Sequence, residues 1–233
     1  MPFTLYLAMT ASEIAVHDSL PAQLGYMAIH FSAYGTGLSN IPSQLPPGSV
    51  LMLNDRMSIH GHDPELVAQQ LVQAVTNLQA QAVILDLQQP PCDTAQQIVH
   101  KLLGILPCPL AVPSQYLLND TAVFLPPPPP NCPLATYIAP YQGRDIWLEA
   151  ALSTQSFTVT EDGCFMQQGV CSYDEGLSDK DLHCHYKIST DDAAAHFTLW
   201  RTKDDLRALL RQAHALGIRH AVGLYQELLD FTV

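Results

Sequence analysis

In the stretch Gln81 to Pro91, QAVILDLQQPP, a nearly all-apolar run ends at Asp86, Gln88 and Gln89. A carboxylate and a carboxamide two residues apart act on one ligand only if the backbone sends both the same way. An extended strand does this, because its side chains repeat every second residue. Ala82 through Leu85, with Leu87, suit a strand buried on both faces, as parallel strands beneath helices are. Its polar residues lie at the C-terminal end, where α/β sheets build their sites. The plain alternative is a strand that runs out into a polar loop, where Asp is common. Asp86 can accept hydrogen bonds or carry a proton, whereas the amide of Gln88 cannot transfer one.

Other strands end in the same way. Val50 to Leu53 stops at Asn54, Asp55 and Arg56, and Leu110 to Val112 is followed by Gln115 and Tyr116. Arg144 to Leu152 carries Glu149, and the final strand, His220 to Tyr225, ends on a tyrosine. The candidate ligand-binding set is therefore Asp55, Asp86, Gln88, Gln115, Tyr116, Glu149 and Tyr225, with tyrosine rings able to stack on the flat face of a ligand.

The elements that must position these groups alternate. Phe3 to Met9 and Tyr26 to Ala33 read as strands, with no helix legible between them. A first helix has Asp63 as N-cap, Pro64 at its first position and Leu71, Val75 and Leu78 on one face. A second starts at Asp93, with Gln96 completing a capping-box pattern, and buries Ile98, Val99, Leu102, Leu103 and Leu106. Strand Leu110 to Val112 completes a βαβαβ unit with parallel strands. Ala122 to Leu125 runs into Pro126 to Pro130, a stiff connector. Residues 153–199, without helical period, read as an antiparallel β insertion before a third helix, Thr202 to Leu216. The fold class is α/β: a small or incomplete TIM-like (βα) barrel in one domain spanning residues 1–233, with an open doubly wound sheet as the alternative.

The 233 residues are 48% hydrophobic and only 14% charged, enough to fill a sizeable core. A formal net charge of −12 argues against nucleic acid or an anionic membrane as partner, since both demand clustered Lys and Arg. A neutral or cationic small molecule fits better, and the low charge content leaves room for homo-oligomers. The start of the chain lacks the basic segment of a signal peptide, and nothing approaches the ~18 apolar residues of a membrane span. Cys92, Cys108, Cys132, Cys164, Cys171 and Cys184 are scattered without disulfide spacing, which predicts reduced thiols and a cytoplasmic location.

From Gln81 onward the chain resembles the chitinase-like glycoside hydrolases of family eighteen. Ala82-Val83-Ile84-Leu85-Asp86-Leu87-Gln88 is similar to the family's catalytic strand, which ends in an Asp-x-Glu pair. Phe197-Thr198-Leu199-Trp200 through Gly217 to Tyr225 resembles the return from its β-rich insertion. In the family the Glu is the general acid and the Asp orients the substrate's N-acetyl group. The resemblance implies that Asp86 keeps the Asp role, while Gln88 stands at the acid's position and Ile84 where a further Asp is expected. The Met-x-Tyr-Asp segment of a later strand is missing near Ala122 to Pro126, and the last-strand Trp corresponds to Tyr225.

The implied protein is a glycosidase-like barrel without hydrolase activity that binds a saccharide or other small ligand at its C-terminal strand ends. A structural or interaction scaffold without a pocket ligand is the alternative, and neither calls for a cofactor. Glycosidases need two carboxyl groups ~5 to 9.5 Å apart, and the expectation is that no pair among Asp86, Glu149 and Glu227 converges so. His60-Gly61-His62 and His183-Cys184-His185, with Cys164 and Cys171, lack the spacing of a structural metal site, so no metal is expected. P-loop, GxGxxG and GxSxG motifs are absent from the sequence.

Overall fold

The structure, a computed structural model, describes residues 2–168, 176–191, 193–229 and 231. The chain divides into two compact units: residues 1–125, 143–148 and 219–229, and residues 126–142, 149–218 and 230–233. In chain order come β1 (Thr4–Met9), β2 (Leu24–Phe31), a two-residue β3 (Leu38–Ser39), β4 (Val50–Asn54), β5 (Ala82–Asp86), β6 (Leu110–Pro113), β7 (Ala122–Leu125) and β8 (Ile146–Ala150). Strands β9 (Thr154–Thr160), β10 (Gly163–Gln168), β11 (Leu177–Asp179), β12 (Cys184–Thr190) and β13 (Ala194–Trp200) follow, and β14 (His220–Leu224) is last.

Eight of these strands form a closed parallel barrel in the order β1-β14-β8-β7-β6-β5-β4-β2, with β2 pairing back to β1. Closure rests on small residues, because Ala8 lies opposite Gly25, where an added Cβ would meet the Ala8 Cα and the Val222 side chain at 3.4 Å. Alternation divides the apolar side chains between two cores. Tyr6, Val50, Met52, Ile84, Phe124 and Trp147 belong to one cluster, and Leu51, Leu53, Val83 and Leu85 to another that includes the apolar faces of two helices.

Those helices are α2 (Pro64–Leu78) and α3 (Asp93–Ile105), preceded by the short α1 (Ala11–Val16). Asp63 caps α2 as expected, its carboxylate accepting the Glu65 N–H at 2.9 Å, and Gln79 ends it with φ 53°. The capping box expected at Asp93 does not form. Cys92 is the N-cap, without a side-chain hydrogen bond, and Asp93 is the first helical residue, its charge facing the positive end of the helix. Helix α1 corrects the expectation of a helix-free connection: Thr10 and Glu13 make a capping box, and none of its six residues is buried. An unburied helix has no apolar stripe, the signal by which helices are read. What is reduced in this barrel is its helical layer. No helix separates β2 from β4, a 3-10 turn (Ser114–Tyr116) joins β6 to β7, and α4 (Leu134–Ile138) spans five residues.

The second unit carries an antiparallel sheet ordered β10-β9-β13-β12-β11, and α5 (Lys203–Ala215). Thr202 and Asp205 cap α5 reciprocally, as expected, while Leu206, Leu209, Leu210 and Ala213 are buried. The last element of the chain is α6 (Tyr225–Leu228), in the first unit. Among the described residues no helix is long and apolar enough to cross a membrane.

The proline run is pinned. Pro128 and Pro130 are buried, and the guanidinium of Arg201, itself 4% exposed, donates to the carbonyls of Pro128, Pro129 (3.3 Å), His183 (3.2 Å) and Leu182 (3.4 Å) and to Ser153 Oγ (3.1 Å). Burial pushes Arg201 down to about 10, so it stays charged, its charge held by oriented carbonyl dipoles. Replacing Arg201 by Met strands these acceptors. It should lower the stability of the second unit by about 2–4 kcal/mol in urea unfolding, several times the effect of Arg207→Met at an exposed pair.

Candidate functional site

Strands β4 and β5 pair in exact register, so that Val50 faces Ala82, Met52 faces Ile84 and Asn54 faces Asp86. The first four belong to the same buried cluster, so Asn54 and Asp86 are the polar ends of two inward-facing rows. Asp86 is half-buried and Gln88 is exposed. The Gln88 amide donates to Asp86 Oδ1 at 3.2 Å, and among the described residues the other Asp86 oxygen accepts no hydrogen bond. Burial pushes the Asp86 carboxyl above its ordinary value; the Gln88 amide opposes this and the Asp55 charge adds to it.

Asp55 sits one residue beyond Asn54, hence on the opposite side. It is buried, and both carboxylate oxygens are engaged by the loop after β5, from Gln88 N–H at 3.1 Å and Gln89 N–H at 2.7 Å. The Gln89 side chain returns a hydrogen bond to the Asp55 carbonyl. Asp55 therefore holds the backbone that presents Gln88. Gln115, exposed, donates to the Leu87 carbonyl at 3.2 Å and braces the same loop. Tyr116 is 3% exposed, packs in the helix-side core, and its hydroxyl accepts the Cys92 N–H at 3.3 Å, so its ring does not offer a stacking face.

Tyr225 opens α6 and is half-buried, its ring meeting His17 edge-on at 4.9 Å. Beside it Gln226 donates to Glu13 at 2.8 Å. Burial raises the Glu13 carboxyl, but hydrogen bonds from Thr10 and Gln226 outweigh it and hold the group below its ordinary value. Glu149 belongs to the second unit, half-buried near the end of β8. Burial, with Tyr141, Glu149 and Cys132 beside it, pushes the Tyr137 hydroxyl up to about 12.

The structure thus joins Asp86, Gln88, Asp55, Gln115 and Tyr116 around one loop and sets Tyr225 with α1. Asn54 was overlooked, although the alternation Val50, Met52, Asn54 announces it. Its side chain donates to the Met27 carbonyl at 2.9 Å and accepts from Arg56 N–H at 3.1 Å. Elsewhere, His62 is a buried structural histidine between the carbonyls of Ile59 (3.2 Å) and Ser32 (3.1 Å). His185 pairs with Asp205 at 2.7 Å. Burial pushes Cys108 and Cys184 up to about 11, away from nucleophilic character; Cys171 lies outside the described residues. Among the described residues no group of three His, Cys, Asp or Glu side chains is placed to hold a metal ion.

No protein-family model matches the chain, and no curated protein matches it in sequence. Solved structures do. A glycoside hydrolase family 18 N-acetylglucosaminidase from Paenibacillus barengoltzii shares 11% identity over 98% of both chains, with a TM-score of 0.62. The spore cortex-lytic enzyme SleL of Bacillus cereus shares 10% over all of this chain and 75% of its own, with a TM-score of 0.56. A chitinase from Chromobacterium violaceum shares 8% over 95% of this chain and 93% of its own, at 0.50. The fold is that of a chitinase-like barrel. Within it, β5 pairs with β4 in continuous register up to Asn54 and Asp86, and Gln88 lies two residues beyond the strand.

Two substitutions separate scaffold from site. Asp55→Ala removes a buried acceptor of two backbone donors and should cost about 2–4 kcal/mol in urea unfolding. Asp86→Asn should do the opposite. A carboxyl whose folded value is raised binds its proton more tightly when folded, so its ionisation weakens the fold at neutral pH. The variant's Tm should exceed that of the parent at pH 7, the gain shrinking as pH falls and vanishing below about 3.8.

Proposed function

We propose that this chain is a glycosidase-like barrel without hydrolytic activity that binds a saccharide bearing an N-acetyl group at its C-terminal strand ends. The observation that carries the reading is the amide of Gln88 donating to Asp86, at the two positions that resemble the family's Glu and Asp. An amide cannot deliver a proton to a leaving oxygen, and Ile84 supplies no second carboxyl. What remains is recognition chemistry. The Asp86 oxygen with no hydrogen bond from the described residues can accept from an acetamido N–H, and exposed Gln88 can donate to and accept from sugar hydroxyls. The names of the similar structures, an N-acetylglucosaminidase and a chitinase, favour that ligand class.

Calorimetry with N-acetylglucosamine oligomers and a fluorogenic hydrolysis assay test this together. The expectation is saturable binding with no turnover. Asp86→Ala should weaken binding by at least ~10-fold, the loss of one charge-assisted hydrogen bond. Gln88→Glu should stay inactive, because restoring one acid leaves Ile84 in place of a carboxylate. Turnover that Asp86→Ala abolishes would sink the proposal, and so would the absence of binding at millimolar oligomer.

A further inference from the structure

The antiparallel sheet of the second unit has one apolar face and one polar face, and the apolar one is exposed. Register places Met166, Phe157, Phe197 and Ile188 side by side across β10, β9, β13 and β12, and alternation sends all four to one side. On that side Val159 and Ala195 flank the row, and Leu199, Tyr186 and Leu177 form a further row. Met166 is 59% exposed, Ile188 51%, Leu177 64% and Val159 41%. The opposite side is polar: Ser156 and Thr198 share a hydrogen bond at 3.3 Å, Thr158 and His196 another at 3.1 Å. A solvated sheet face normally carries the polar set, and here Met166, Ile188, Leu177 and Val159 meet solvent instead.

We propose that the apolar face is the interface of a homodimer, two copies packing sheet on sheet across a two-fold axis near the Phe157–Phe197 pair. Four strands ~4.8 Å apart and seven residues at ~3.4 Å span roughly 20 by 20 Å, on the order of 600 Å² with side-chain relief. That is the amount each partner contributes at the low end of specific interfaces, and the most a monomer usually leaves exposed. Among the described residues of the face the one charge is Asp179, on the edge strand, where its carboxylate accepts the Asp181 and Leu182 N–H groups. Two copies that each carry −12 repel, so association needs a neutral surface, and a self-complementary row centred on paired phenylalanines suits a symmetric partner.

Light scattering of the full chain across the micromolar range should show a mass twice the 25.6 kDa of the chain, with association strengthened by salt as the like charges are screened. Met166→Lys combined with Ile188→Lys places unpaired charges at exposed positions of the face and should raise the dissociation constant by ~100-fold or more. Phe165→Lys, on the opposite side of β10 and equally exposed, should leave it unchanged, and circular dichroism checks that each variant folds. A wild-type chain that is monomeric throughout overturns the proposal, as does a double variant that dimerises as tightly as the parent. A monomer that pellets with neutral phosphatidylcholine vesicles would also overturn it and assign the face to a membrane surface.

Discussion

Strand alternation on a register-locked barrel decides what every side chain at its rim can do. Val50, Met52 and Asn54 lie level with Ala82, Ile84 and Asp86, so the layers that fill the barrel end in a polar layer. A shift of one residue on β4 would exchange Asn54 for Asp55 and bring two carboxylates together, a pairing that like charges oppose. Instead Asp55 points to the other side, where its charge is balanced by two backbone N–H donors. The acid outside the strand row thereby fixes the loop that carries the amide inside it.

The interior below that layer is filled by aromatic stacking. Trp147 lies on Tyr6 at 5.5 Å and on His220 at 4.4 Å, rings nearly parallel, against the small inward residues Ala8, Ala82, Ala111 and Ala122. Large groups opposite small ones fill a taper without voids. Burial holds the His220 imidazole below its ordinary value, which favours the neutral ring in this stack. Burial acts on Asp86 in the opposite direction, raising its carboxyl, and in both groups it disfavours the charged form.

The barrel was legible because its signals are local. Continuous apolar runs marked β4, β5 and β7, and Asp63, Pro64 and Thr202 marked helix starts. The parts that escaped lack such marks. Helix α1 packs only the half-buried Ile14 against the core, and the N-terminus of α3 is held without a side-chain cap, so a pattern of Asp93 with Gln96 misled. In the site, parity was read for Asp86 and Gln88 but not for the other residues. Asp55 and Tyr116 are the right kinds of residue for sugar binding, yet tertiary packing buries both, while Asn54 carries the inward position. Which side of a strand faces the barrel is set by pairing with neighbours distant in sequence, and alternation alone gives only the relative face.

The inserted sheet shows the complementary case, in which local pattern gives the faces and not their environment. Its period-two sequence, Phe157-Thr158-Val159 against His196-Phe197-Thr198, sorts apolar from polar residues, and the natural expectation is that the apolar side is covered within the chain. The exposures of Met166, Ile188 and Leu177 contradict that expectation. The hydroxyl and imidazole groups on the other side satisfy one another across the strands, and that side also presents exposed Phe165, Lys187 and Ser189. Alternation sorts the residues of the sheet into two sides, and the exposure of each side is decided by packing that the pattern does not contain.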